Sequence, residues 1–168
     1  MDKIFPHPPY AEDQPHSHII LPLHVIRAGL TVGSILSVVS ATIFTAAKQP
    51  RTVPVYTTRL ITYASRGSVA GMLAGAGMVT FKMRGREEIE WQDRSWRLLE
   101  NKGQMEMDRW VPAGGVLGAV ACVVAARRGK VPSLGTGTAA LGGLGLGVAG
   151  GAAGYAGWRY GVHGGRFD

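Results

Sequence analysis

Two stretches of this sequence hold no acidic residue: none lies between Pro15 and Arg86, and none between Arg109 and Phe167. A soluble domain scatters charges of both signs over its surface, so segregation of this kind directs attention to membrane spans. Residues 24–47 carry no charge for the 20 positions after Arg27, about 30 Å of helix at about 1.5 Å per residue. Residues 60–81 are uncharged except for Arg66, and the 15 residues beyond it reach roughly 22 Å as helix. Residues 110–126 are 17 uncharged positions between Arg109 and Arg127, at the lower edge of the spanning range. Residues 134–158 hold ten glycines and no charge. With 46% apolar and 17% charged residues, and no polar faces repeating at helical period in these runs, a water-soluble four-helix core is the poorer reading.

The expectation is an all-α membrane protein of four glycine-rich transmembrane helices, over about 24–47, 60–81, 110–126 and 134–158, with an amphipathic helix in the middle loop. A polar, Pro- and His-rich tail (1–20) precedes this membrane domain (21–160), and a short tail (161–168) follows it. Lys48, Arg51 and Arg59 follow the first span, and Arg127, Arg128 and Lys130 the third, with no acid in either connection. Both loops belong on the positive-inside face, which puts both termini on the other side. The middle connection balances seven basic against seven acidic residues between Lys82 and Arg109. The net charge of +7 raises nucleic acid as a partner, but many cations hug span ends and no basic helix or base-stacking motif accompanies them, so none is expected.

Small residues recur at every fourth position: Gly29, Gly33, Ser37 and Ala41; Gly67, Gly71 and Gly75; Gly114 and Gly118; Gly135, Ala139, Gly143, Gly147 and Gly151, with Gly150 and Gly154 close beside. On a helix such a series forms one smooth stripe, and in lipid it lets two backbones approach for dispersion contacts. Glycine's helix penalty of about 1 kcal/mol in water is largely overridden there, because unpaired backbone groups in hydrocarbon cost several kcal/mol. The stripes predict a tightly packed bundle.

Catalytic patterns are missing. The string around Gly129-Lys130 lacks the first glycine and the hydroxyl of a phosphate-binding loop, with Val124 and Val131 in those places. Gly145, Gly147 and Gly150 match a dinucleotide spacing without a preceding strand, and the only later acid is Asp168. The lone Cys122 reads as an inert buried thiol, and His16 with His18 lacks the partners of a metal site. No Asp or Glu falls inside an expected span, which argues against a proton relay. Neither metal nor cofactor is expected beyond a bound phospholipid. Arg66, inside the second span, and Arg27, with His24 near the outer end of the first, are the candidates to contact a headgroup or partner.

In the middle connection, Ile89, Trp91, Trp96, Leu98 and Leu99 predict an amphipathic helix over about 87–100, stopped near Gly103. Glu90 with Arg94 and Asp93 with Arg97 stand at i,i+4 in the favourable order. Trp91 and Trp96 suit a membrane interface or a protein partner.

Four short glycine-rich spans, basic inner loops, and the run Asn101…Asp108…Gly114-Gly115…Gly118 resemble a four-span family of the mitochondrial inner membrane. That family comprises the channel-forming subunits of the preprotein translocases and a related accessory subunit of respiratory complex I. The resemblance covers about residues 21–160 in architecture and only the loop-to-span segment in motif. Gln104 stands where the family has a basic residue, and the gap after Asp108 is shorter. The resemblance implies termini in the intermembrane space, insertion through internal signals, and larger membrane subunits of a hetero-oligomeric complex as partners. Asp2, Glu12 and Asp13 with no arginine do not read as a cleavable transit peptide. A translocase is expected to line a lateral face with polar groups, whereas these spans offer Arg66 and scattered Ser and Thr. The expectation is therefore a non-catalytic accessory subunit of complex I, with a translocase channel component as the alternative. The proline-rich polar segments are expected to reach along neighbouring subunits.

Overall fold

The computed structural model describes residues 5–131 and 134–167, which leaves Asp2 and Asp168 outside it. The described residues form five α-helices and no strand: α1 (Ser17–Ala47), α2 (Val53–Met83), α3 (Glu88–Glu100), α4 (Lys102–Arg127) and α5 (Thr136–Ala156). A 3-10 turn, Ala11–Asp13, precedes α1, and a π-helical segment, Gly157–Val162, continues α5. Helices α1, α4 and α5 with its extension are long and apolar enough to cross a membrane. Helix α2 is as long as α1, 31 residues each. Arg59, Arg66 and its Gly, Ser and Thr residues make it more polar.

Helices α1, α2 and α4 begin seven or eight residues before the expected spans, because local capping and not charge sets their ends, whereas α5 begins two residues after 134. His16, in the left-handed region at φ 59°, turns the tail into α1, which starts seven residues before the expected 24. Thr52 in extended conformation and Pro54 in the first turn open α2. Glu87 and Glu90 form a reciprocal capping box at the start of α3. Asn101 ends α3 and also caps α4, accepting a hydrogen bond from the Gln104 backbone N–H at 3.1 Å. Gly103 is therefore helical, and the expected stop near it falls instead at Asn101. Asp93 pairs with Arg97 at 2.9 Å, as its spacing predicts. Glu90 pairs with Arg86 at 3.1 Å rather than with Arg94, because its role in the capping box turns it toward the N-terminal side.

Helices α1 and α2 run antiparallel in close contact, and so do α4 and α5. A Cβ placed on Gly71 would lie 2.9 Å from the Gly29 carbonyl carbon, and one on Gly33 would lie 3.0 Å from Gly71 Cα. One on Gly67 would lie 2.6 Å from Gly33 O, and one on Gly75 2.7 Å from Val25 O. In the second pair, a Cβ on Gly147 would lie 2.7 Å from the Gly114 carbonyl carbon, and one on Gly118 2.8 Å from Gly147 Cα. Gly143 meets Cys122 and Gly118, and Gly151 meets Trp110 O. Gly135, on the expected stripe, and Gly150, beside it, face open space.

A second face of α5 joins the pairs. Gly142 packs on Ile61, and Gly145 packs on Ala64 and Ser68, so α2 and α5 run parallel. Ser34 and Ser68 hydrogen bond at 3.1 Å at this three-helix junction, and both are fully buried. Antiparallel pairs joined through parallel α2 and α5 place the α1–α2 and α4–α5 loops at one end, called here the hairpin end. The tail, α3 and the C-terminus share the other.

At that other end the tail folds back on α3 instead of extending away. Trp96 Nε1 donates to Pro8 O at 2.9 Å, and Ser95 Oγ to Ser17 O at 3.1 Å. Ile20, Leu99 and Met105 are buried together, with Phe5 and Leu98 packed against them. Each such aliphatic side chain taken fully from water contributes about 1.5–3 kcal/mol.

Candidate functional site

Helices α1 and α4 both pack on α5, and the space they leave is a lateral groove of about 650 Å³. Its walls are Thr31, Val32, Ile35, Val38 and Val39 of α1, Met107 of α4, and Ala149, Ala152, Ala153 and Ala156 of α5. His24, Arg27 and Gln104 form its polar mouth, near the α3 end.

An ion pair bridges that mouth. Arg27 Nε lies 2.6 Å from Asp108 Oδ1, and the two side chains are only 10% and 1% exposed. Arg27 Nη2 is 3.2 Å from His24 Nδ1 and donates to Gln104 Oε1 at 3.5 Å. Arg27 Nη1 and Asp108 Oδ2 are buried without further hydrogen-bond partners. The pair has lost its water and kept few substitutes, so it holds two helices in register more than it adds stability over an apolar contact.

A second pair lies on the opposite side of α4. Glu106 accepts from Arg159, whose side chain is 3% exposed and also donates to Arg166 O. The Arg159 guanidinium stacks on Trp158 at 4.9 Å and on Phe167 at 4.4 Å. Two positions apart on a helix, residues 106 and 108 point to nearly opposite faces, so each carboxylate of α4 holds a different neighbour. Glu106 and Asp108, expected in the middle connection, are helical instead: they lie in the first two turns of α4, ahead of the uncharged run 110–126. Asn101 followed by Gln104 is a helix-start signal, and it places both carboxylates after the cap.

The other candidate residues are dispersed. Arg66 is exposed on a shallow groove of about 330 Å³ shared with Leu36, Ser37, Ser40 and Tyr63, apart from the groove that Arg27 lines. Trp91 stacks on His18 with ring centroids 4.2 Å apart, and Trp96 on His7 at 5.2 Å, so the chain's own tail occupies faces expected to meet a partner. Glu88 accepts from Ser17 Oγ at 2.9 Å and stands 2.6 Å from His18 Nε2. Hydrogen bonds from His18 first, and then Ser17, hold its carboxyl below the usual glutamate range. Among the described residues no three His, Cys, Asp or Glu side chains are grouped to hold a metal ion.

A third groove, of about 530 Å³, runs along the outside of the α1–α2 pair. Its lining, from Val25 to Met78, is aliphatic and glycine-rich with Ser37 as its polar member. Both long grooves therefore open sideways through apolar walls. No curated protein matches this sequence. Residues 11–156, from the 3-10 turn to the end of α5, match the family described as "Protein of unknown function (DUF1757)", and the chain belongs to that family.

Proposed function

We propose that this chain is a four-span membrane protein with a structural role, a non-catalytic accessory subunit of mitochondrial respiratory complex I in the inner membrane. Helix α2 is the fourth span on this reading: it matches α1 in length and lies against it along a glycine contact. Both termini then face the intermembrane space and both basic loops the matrix.

The observation that carries the reading is the lining of the two lateral grooves. A protein-conducting path needs polar or charged groups along its wall, and here, among the described residues, the walls carry only the hydroxyls of Thr31 and Ser37 beyond the His24–Arg27–Gln104 mouth, where the cation is already paired with Asp108. Leu36, Ile43, Leu73 and Leu117, each more than 60% exposed, add apolar surface suited to lipid or to neighbouring membrane helices. The assignment to complex I rests on the resemblance of the spans and of the Asn101–Gly118 run. Extraction of the tagged full chain in mild detergent, followed by identification of its co-migrating complex, tests it. Migration with NADH dehydrogenase subunits is the expected result; a preprotein receptor as the partner overturns the assignment in favour of a translocase.

A further inference from the structure

The two ends of the molecule handle their cations differently. At the α3 end, Arg27, Arg86, Arg97 and Arg159 each face a carboxylate. The hairpin end gathers Lys48, Arg51 and Arg59 with Arg127, Arg128 and Lys130, and the acid-free stretches flanking both loops supply no carboxylate there. Two of these cations converge on one ring: Lys48 Nζ is 5.0 Å and the Arg59 guanidinium 5.2 Å from the centre of Phe44. The aromatic face attracts each cation, and among the described residues no carboxylate pairs with either to offset their mutual repulsion. Arg59 Nη1 is buried and has no hydrogen-bond partner. Ile43, next to Phe44 in the chain, and Val53, the first residue of α2, are 63% and 79% exposed.

We propose that Lys48 and Arg59, set on Phe44, form a site for the phosphate of an anionic phospholipid headgroup, with the lipid's acyl chains against the exposed aliphatic side chains of α1 and α2. A phosphate oxygen accepts from the exposed Lys48 ammonium and neutralises the cation pair, and Arg51 and the α4–α5 loop add attraction at the same surface. The source is the bilayer itself, because the site lies where α1 ends and α2 begins, at the level of headgroups. This inference rests on the membrane-spanning reading above.

The test reconstitutes the full chain in nanodiscs of phosphatidylcholine with and without phosphatidylglycerol, then measures the lipid retained after brief detergent extraction by native mass spectrometry. The wild type is expected to retain phosphatidylglycerol several-fold above its share of the disc, and Lys48→Gln with Arg59→Gln to lose that enrichment. Lys48→Arg with Arg59→Lys should keep it, as should Arg84→Gln with Arg94→Gln at the opposite end. Inorganic phosphate in neutral discs should not shield Arg59 from an arginine-modifying dicarbonyl as phosphatidylglycerol does; equal shielding overturns the lipid assignment. A chain that inserts but shows no enrichment removes this site alone. A chain that stays out of the bilayer removes both the site and the four-span reading.

Discussion

Arg27 and Asp108, 2.6 Å apart across the mouth of the lateral groove, tie α1 to α4 at an end where both also lean on α5. Replacing one member strands the other charge in a site with almost no water. Asp108→Leu or Arg27→Leu is expected to lower stability by about 3–5 kcal/mol, while the double replacement recovers most of the loss. Thermal unfolding in detergent, followed by circular dichroism, reads this directly; additive single effects would show that the pair does not couple the helices.

Gly71 and Gly147 sit where opposing backbones leave no room for a side chain. Gly71→Leu and Gly147→Leu should each cost at least the roughly 1–3 kcal/mol typical of overpacking, with loss of the compact form on size exclusion. Gly150→Leu, at a position with nothing within 4 Å, should leave elution unchanged. Normal assembly of both variants would mean that the helices do not touch along these stripes.

Ser34 and Ser68 form a buried hydroxyl pair at the α1–α2–α5 junction. Interhelical hydrogen bonds of this kind couple by about 0.6 kcal/mol, because the separated helices find other partners in the membrane. A Ser34→Ala, Ser68→Ala cycle should return a coupling of that size.

The contact of Glu88 with Ser17 and His18 makes the docking of the tail sensitive to acid. A carboxyl held below its ordinary pKa contributes stability that is complete above the unfolded value and disappears as pH falls through the lowered folded one. Protection of the amides of residues 5–20, taken relative to the intrinsic exchange rate at each pH, should therefore fall in that acid window, and Glu88→Gln should show lower protection at neutral pH with little further change on acidification. Unchanged protection in the variant would assign the docking to the Trp91, Trp96 and Ile20 contacts alone.

The helical class was legible in the sequence because it depends on the length and spacing of the apolar runs. Period-four glycines mark a helix face wherever the helix starts, and Gly29, Gly33, Gly67 and Gly71 oppose one another in that way. The α2–α5 contact was not legible, since Gly142 and Gly145 lie off that period and take their meaning from Ile61 and Ser68, which are distant in sequence. The ion pairs were missed for a different reason. Charge marks where an uncharged run ends, so Glu106 and Asp108 were placed in a loop, whereas the cap at Asn101 sets the start of the helix. The tail's prolines suggested extension, and its fold onto α3 arises from aromatic and histidine contacts that span 88 residues of chain at Pro8 and Trp96.

The parallel contact of α2 with α5 gives the molecule a natural order of assembly. Each antiparallel pair closes through a short loop, a local event with little chain entropy to overcome, whereas α2 and α5 meet only after α3 and α4 have been made. On the proposed four-span reading, each pair is a unit that would enter the bilayer by itself during synthesis. On that reading the protein becomes two inserted hairpins searching laterally for one another, with Gly145 of α5 closing over Ser34 and Ser68 only on their encounter.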